Sequence, residues 1–108
     1  MTNYNKLVRD LIPEIITKQE MSFTTRVLEK DEYKTELLAK LKEETNEFIE
    51  AQSGSEASEE LADMLEVIYA LAETNGVTVQ ELEQIRTNKA MKRGGFKDRI
   101  YLIEVVDA

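Results

Sequence analysis

The chain has 108 residues, a net charge of −8, and neither cysteine nor histidine. This length allows one domain with a modest core, so we expect a single domain over residues 1–108. Without Cys or His, disulfides, thiolate metal sites, His-ligated zinc and His-based catalytic triads are excluded. The acidic balance argues against nucleic-acid binding, and no apolar run reaches the roughly 20 residues of a membrane helix. We therefore expect a cytoplasmic protein with neither a nucleic-acid nor a membrane partner.

Two helices are predicted in the first half of the chain. Asp10 is expected to be the N-cap of a short helix with Pro13 in its first turn, where the missing N–H costs little. Asp31 is expected to be the N-cap of a long helix, whose apolar periodicity ends at Ser53-Gly54.

Two more helices are predicted in the second half. Ser55 or Ser58 is expected to cap the third helix, which ends at Asn75-Gly76. Thr78 and Glu81, three residues apart, form a capping box for a fourth helix. Because the loops between these helices are short, consecutive helices are expected to be antiparallel.

Two short segments, residues 23–29 and 99–106, are rich in β-branched and aromatic residues and are predicted to be strands. The predicted fold is therefore all-α, a four-helix bundle-like arrangement with a short two-stranded β appendage.

Helical geometry distinguishes the acids of the second helix, since successive residues are rotated by about 100°. Leu37, Leu41 and Phe48 define the apolar stripe of this helix. Glu44 falls inside the stripe and Glu47 lies at its edge, so both are predicted to face the neighbouring helix.

The third helix repeats this pattern. Glu60 falls inside its apolar stripe and Asp63 lies at the edge. The stripe consists of Leu61, Met64, Leu65, Ile68 and Leu71. The acids predicted to point away from the two stripes are Glu43, Glu50, Glu59 and Glu66.

The heights of the four inward acids also match. In an antiparallel hairpin that turns at Gly54, Glu47 would be level with Glu60, and Glu44 with Asp63. Carboxylates that converge in this way either take up protons or pair with cations, and an all-oxygen ligand set suits Mg²⁺ or Mn²⁺. The alternative is an acidic hairpin whose carboxylates are solvated or paired with lysines.

The two acidic pairs resemble a known signature. E-x-x-E at residues 44–47, followed by E-x-x-D at 60–63, is similar to the metal-binding signature of the all-α nucleoside triphosphate pyrophosphatase superfamily. The opening KLVRDLIP (residues 6–13) and the later KRGGF (92–96) resemble its small MazG-like branch, proposed to remove noncanonical nucleotides as a house-cleaning function.

The resemblance implies Mg²⁺-dependent hydrolysis of a nucleoside triphosphate to the monophosphate and pyrophosphate. Such chemistry depends on charge neutralisation and positioning more than on a covalent nucleophile. The resemblance implies that four residues are the metal ligands and catalytic groups: Glu44, Glu47, Glu60 and Asp63.

A triphosphate also requires basic side chains. Lys89 and Arg93, four residues apart on one helical face, are expected to bind its phosphates, with Lys92 as an alternate. The alternative is that these bases only complement the negative end of the helix dipole. Lys6 and Arg9 are either further ligands of the same anion or exposed charges.

Two other functions stay open at this point. One is hydrolysis of phosphoribosyl-ATP by the same chemistry, and the other is a non-enzymatic acidic helical module that binds a basic partner. A chain this small buries more apolar surface when copies of it associate. We therefore also expect a homo-oligomer, either a dimer or a tetramer.

Overall fold

The computed structural model describes residues 2–107, which contain four helices and no β-strand. The helices are α1 (Ile12–Lys18), α2 (Lys30–Ile49), α3 (Gly54–Thr74) and α4 (Val79–Arg93). The prediction of an all-α fold with four helices is confirmed. None of the four combines the length and the hydropathy that a membrane-spanning helix needs.

The N-termini of α3 and α4 are both capped by side chains. The Glu81 N–H donates to Thr78 Oγ1 at 3.1 Å and the Thr78 N–H to Glu81 Oε1 at 3.3 Å, which confirms the predicted capping box. The prediction of Ser55 or Ser58 as the cap of α3 is wrong. Ser53 Oγ accepts from the Glu56 N–H at 3.1 Å instead, so α3 begins at the position predicted to be the turn.

The first two helices have no side-chain cap, so the predictions for Asp10 and Asp31 are wrong. The N-cap positions are Leu11 and Glu29. Asp31 lies within the first turn of α2, where a carboxylate stabilises the positive end of the helix dipole. Pro13 occupies the first turn of α1, as predicted.

The two predicted strands, residues 23–29 and 99–106, are not formed. A strand requires a ladder of hydrogen bonds to a neighbour, and neither segment has such a ladder among the described residues. The apolar side chains of residues 100–106 are exposed instead. High β-propensity therefore produced no strand here, because no sheet edge pairs with these segments.

The core lies between α2 and α3, which form an antiparallel hairpin joined by residues 50–53. Leu37 of α2 and Val67 of α3 are the most buried large apolar side chains, with 3% and 8% of their surface exposed. Leu61 and Leu65, both predicted to face inward, remain 50% and 45% exposed. The buried face of α3 is therefore rotated away from these leucines and towards the acidic residues of the same helix.

The remaining helices extend from this hairpin. α4 packs against α3 and makes no backbone approach to α2. The segment before α1 borders a groove shared with the hairpin, and its Arg9 contacts Asp63 of α3. This arrangement leaves the α2–α3 hairpin to position the acidic residues.

Candidate metal and phosphate site

Four acids from α2 and α3 meet at one level of the hairpin. Carboxylate oxygens of Glu44, Glu60 and Asp63 all lie within 4.8 Å of one another. Glu44 also forms a second group of the same size with Glu43 and Glu47 of its own helix. The geometry therefore places together the four acids singled out by spacing, with Glu44 shared between the two groups.

Glu44 is the most buried acid of the described chain, with 7% of its surface exposed. Oε2 of Glu44 and Oε2 of Glu60 are both buried and accept no hydrogen bond from the protein. A buried carboxylate oxygen without a donor is unfavourable unless it is protonated or bound to a cation. The cluster therefore has unsatisfied capacity to bind a positive charge.

The electrostatics of the cluster favour protonation in the absence of a cation. Burial raises the pKa of Glu44 to about 7, helped by the closely placed carboxyl groups of Glu60 and Glu47 and by the charge of Asp63. Burial also raises the pKa of Glu60, as do Glu47 and Asp63. Like charges crowded in a poorly hydrated site take up protons or attract cations.

Two basic side chains contact these acids. Arg9, in the segment before α1, donates from Nη2 to Asp63 Oδ1 at 2.7 Å. Lys40, one turn before Glu44 on α2, places its Nζ 3.4 Å from Glu43 Oε2 and 3.7 Å from Glu44 Oε1. The cluster is therefore bordered by one cation from the N-terminal segment and one from α2.

An open groove of about 520 Å³ runs beside the cluster. Its walls are the segment before α1, the first turns of α1, and the facing sides of α2 and α3. The charged part of the lining consists of two bases, Arg9 and Lys40, and four acids, Asp10, Glu44, Asp63 and Glu66. The apolar part consists of Leu7, Val8, Leu11, Ile12, Ile15, Leu37, Val67 and Ala70, with Tyr33 beside them. An elongated ligand with one charged and one apolar end matches this lining.

The other predicted phosphate ligands are not brought to the cluster. Lys89, Lys92 and Arg93 are exposed on α4, and none of them lines the groove. Lys6 is also exposed, with its Nζ 5.6 Å from the centre of the Tyr4 ring. For α4 to supply phosphate ligands, it would have to rearrange or come from another copy of the chain.

Sequence reasoning missed two members of the site. Glu43 was predicted to point away, but the structure includes it in the acidic cluster. Lys40 contacts Glu43 and Glu44, although the sequence pattern predicts only unspecified lysines as partners of the acids. Its i, i+4 spacing from Glu44 was a readable signal, because such residues are neighbours on one helical face.

Two antiparallel helices each carry a pair of acids spaced i, i+3, and the two pairs form one cluster. These features define a helical protein with an acidic candidate metal site. The family model described as phosphoribosyl-ATP pyrophosphohydrolase matches residues 4–89. The chain therefore belongs to this family, which is part of the all-α nucleoside triphosphate pyrophosphatase superfamily. No curated protein and no solved structure matches the chain. The family supports pyrophosphohydrolase chemistry on a nucleotide.

Proposed function

We propose that this protein hydrolyses a nucleoside triphosphate to the monophosphate and pyrophosphate in the presence of Mg²⁺. The observation that carries the proposal is the buried carboxylate of Glu44, whose Oε2 has no hydrogen-bond donor and which is shared by two acidic groups. Burial of such a group costs stability, so a binding function accounts for it better than solubility does. An acidic helical module that only meets a basic partner has no need of a buried carboxylate.

The residues of the cluster fit a hard divalent ion. All donors are carboxylate oxygens, the ligand type that Mg²⁺ and Mn²⁺ prefer. Glu44, Glu47, Glu60 and Asp63 would hold the ion, with Glu43 next to them. When bound, such an ion neutralises phosphate charge and lowers the pKa of a water molecule.

The chain's own residues would position the substrate. Arg9 lies at the junction between the acids and the groove, where its guanidinium can form paired hydrogen bonds to phosphate oxygens. The apolar walls beside Tyr33 would receive the nucleoside and exclude water from it. A deprotonated carboxylate of the cluster would orient the attacking water.

Phosphoribosyl-ATP is a second candidate substrate. The family match, which covers residues 4–89, favours it directly. The opening and late motifs of the sequence favour the house-cleaning branch, which acts on noncanonical triphosphates. Both reactions release pyrophosphate from the same kind of bond, so one site serves either.

The experiment is an assay of pyrophosphate release with purified protein and Mg²⁺. The panel contains canonical triphosphates, modified triphosphates and phosphoribosyl-ATP, each with and without a chelator. We expect metal-dependent release with at least one member, and the preferred member identifies the substrate class. Folded protein that releases no pyrophosphate from any of them would contradict the proposal and favour the interaction module.

We also propose that the chain forms a homo-oligomer. Its accessible surface is 10,084 Å², whereas a compact monomer of 12.4 kDa exposes only ~6,100 Å². The radius of gyration is 18.7 Å, against about 13 Å for a compact domain of this length. Half-exposed Leu61 and Leu65 on α3 give an apolar face that a second copy would cover.

A charge placed on this face is expected to separate the subunits. The double substitution Leu61→Glu with Leu65→Glu should shift the mass measured by light scattering from a dimer or tetramer towards one chain. Desolvation of two new carboxylates in an apolar interface is the physical reason. Ala62→Glu, an exposed small residue of α3, is the control and should not change the mass. A wild-type protein that elutes as a monomer would contradict the proposal.

A further inference from the structure

Arg9 and Lys40 reach the acidic cluster from different parts of the chain and contact different carboxylates. The Arg9 guanidinium pairs with Asp63, a member of the group that includes Glu60. The Lys40 ammonium lies between Glu43 and Glu44, members of the group that includes Glu47. Arg9 thus contacts one acidic group, whereas Lys40 contacts Glu43 and the shared Glu44.

The same two side chains also line the groove beside the cluster. They are the only basic residues in its lining among the described residues. A phosphate chain that meets the acids through a cation would therefore lie next to Arg9 and Lys40. Each base therefore borders both its carboxylate partner and the groove.

The contacts with the acids are weak enough to be exchanged. The Arg9 side chain is 56% exposed and that of Asp63 39% exposed, and exposed ion pairs contribute little to stability. The two Lys40 distances, 3.4 and 3.7 Å, are longer than those of a strong charged hydrogen bond. Both pairs neutralise negative charge in the cluster, and a competing ligand can break them.

We infer that Arg9 and Lys40 are exchangeable counter-ions of the acidic cluster. They neutralise Asp63 and the Glu43–Glu44 pair when no divalent cation is bound. When the carboxylates hold the cation, the two bases are released and bind the phosphates of the substrate. The inference rests on the proposed function and adds Lys40 to the residues that bind the substrate.

Exchange predicts opposite effects on two ligands. Arg9→Met and Lys40→Met each remove a cation that competes for the carboxylates, so Mg²⁺ alone should bind about two- to fivefold more tightly. Each also removes a phosphate ligand, so inorganic triphosphate should bind about tenfold more weakly at saturating Mg²⁺. Both affinities are measured by calorimetry on the full chain.

Lys42→Met is the matched control. Lys42 is exposed on the same helix, and no ion pair involves it among the described residues. It loses the same charge, so its effect on both ligands measures the long-range electrostatic contribution alone. Circular dichroism confirms that each variant is folded, and Lys40→Gln replaces Lys40→Met if the latter is not.

The directions in which the Mg²⁺ and triphosphate affinities change test the exchange. Weaker binding of both ligands, or changes no larger than those of Lys42→Met, would overturn the inference while leaving the proposed function intact. A wild-type protein that does not bind Mg²⁺ would overturn both, since no cation would then displace the bases. Tighter Mg²⁺ binding together with weaker triphosphate binding is the result that supports exchange.

Discussion

Glu44→Gln is expected to lower Mg²⁺-dependent release of pyrophosphate at least about 100-fold. Glu44 belongs to both acidic groups and has a buried oxygen with no protein donor. A neutral amide has nearly the same shape but brings no charge to a divalent cation. The amide also places an N–H₂ group, a donor, where a cation needs an acceptor. Initial rates of pyrophosphate release at saturating substrate measure the effect.

The control for this substitution is Glu59→Gln. Glu59 is an exposed acid of α3 that adjoins Glu60 but does not belong to either acidic group. It removes the same charge from the same region, and activity should stay within about twofold. Equal losses of activity in the two variants would mean that only the overall electrostatic field of the hairpin matters. That result would contradict a site centred on Glu44.

The free energy of unfolding is expected to depend strongly on pH through Glu44. Burial and the neighbouring acids raise the pKa of Glu44 in the folded protein to about 7, from 4.5 for an exposed side chain. Between these values the folded state binds more protons than the unfolded state. The free energy of unfolding is therefore highest below about pH 4.5 with respect to this group, and it falls as the pH rises to about 7. The loss is on the order of 3 kcal/mol.

Urea unfolding at pH 5 and pH 8, in the presence of a chelator, tests this expectation. The wild-type protein should lose stability between the two values, whereas Glu44→Gln should lose less because the amide does not ionise. At pH 8 the variant should therefore be the more stable protein. A wild-type free energy of unfolding that is equal at both values, or lower at pH 5, would contradict a raised pKa for Glu44.

Glu44 is therefore expected to support activity at a cost in stability. The same substitution is expected to abolish activity and to stabilise the fold at pH 8. Residues that bind ligands are often kept at a cost in stability. Added Mg²⁺ should reverse the order of stability at pH 8, because a cation bound only by the folded wild-type protein raises its free energy of unfolding. Thermal unfolding of both proteins with and without Mg²⁺ measures this reversal.

Much of the fold followed from local signals in the sequence. The capping box of Thr78 and Glu81 depends on residues three apart, and it formed as predicted. The two long helices followed from apolar periodicity, and the first and last from capping residues and Pro13, all of which are properties of short windows. The caps predicted at Asp10 and Asp31 were wrong by one or two residues, and both helices begin without a side-chain cap.

The predicted strands did not form, because strand formation depends on long-range pairing and not on local signals alone. Residues 99–106 have strand-like composition, but a strand exists only where another strand pairs with it. Pairing is a property of the assembled chain and cannot be read from one segment. Lys89 and Arg93 show the same limit, since their spacing gave a common helical face but not the position of α4 relative to the acids.

The sequence by itself determined which acids could meet, because helical phase and the short loop at residues 50–53 fix both direction and height. It also excluded Cys and His chemistry. Only the tertiary structure decided that Leu61 and Leu65 of α3 remain half exposed, and that Glu43 and Lys40 join the site. It also brought Arg9 to Asp63 across 54 residues of chain. The physical reason is that helix rotation and long-range ion pairs depend on side-chain packing summed over both helices, which no local pattern specifies.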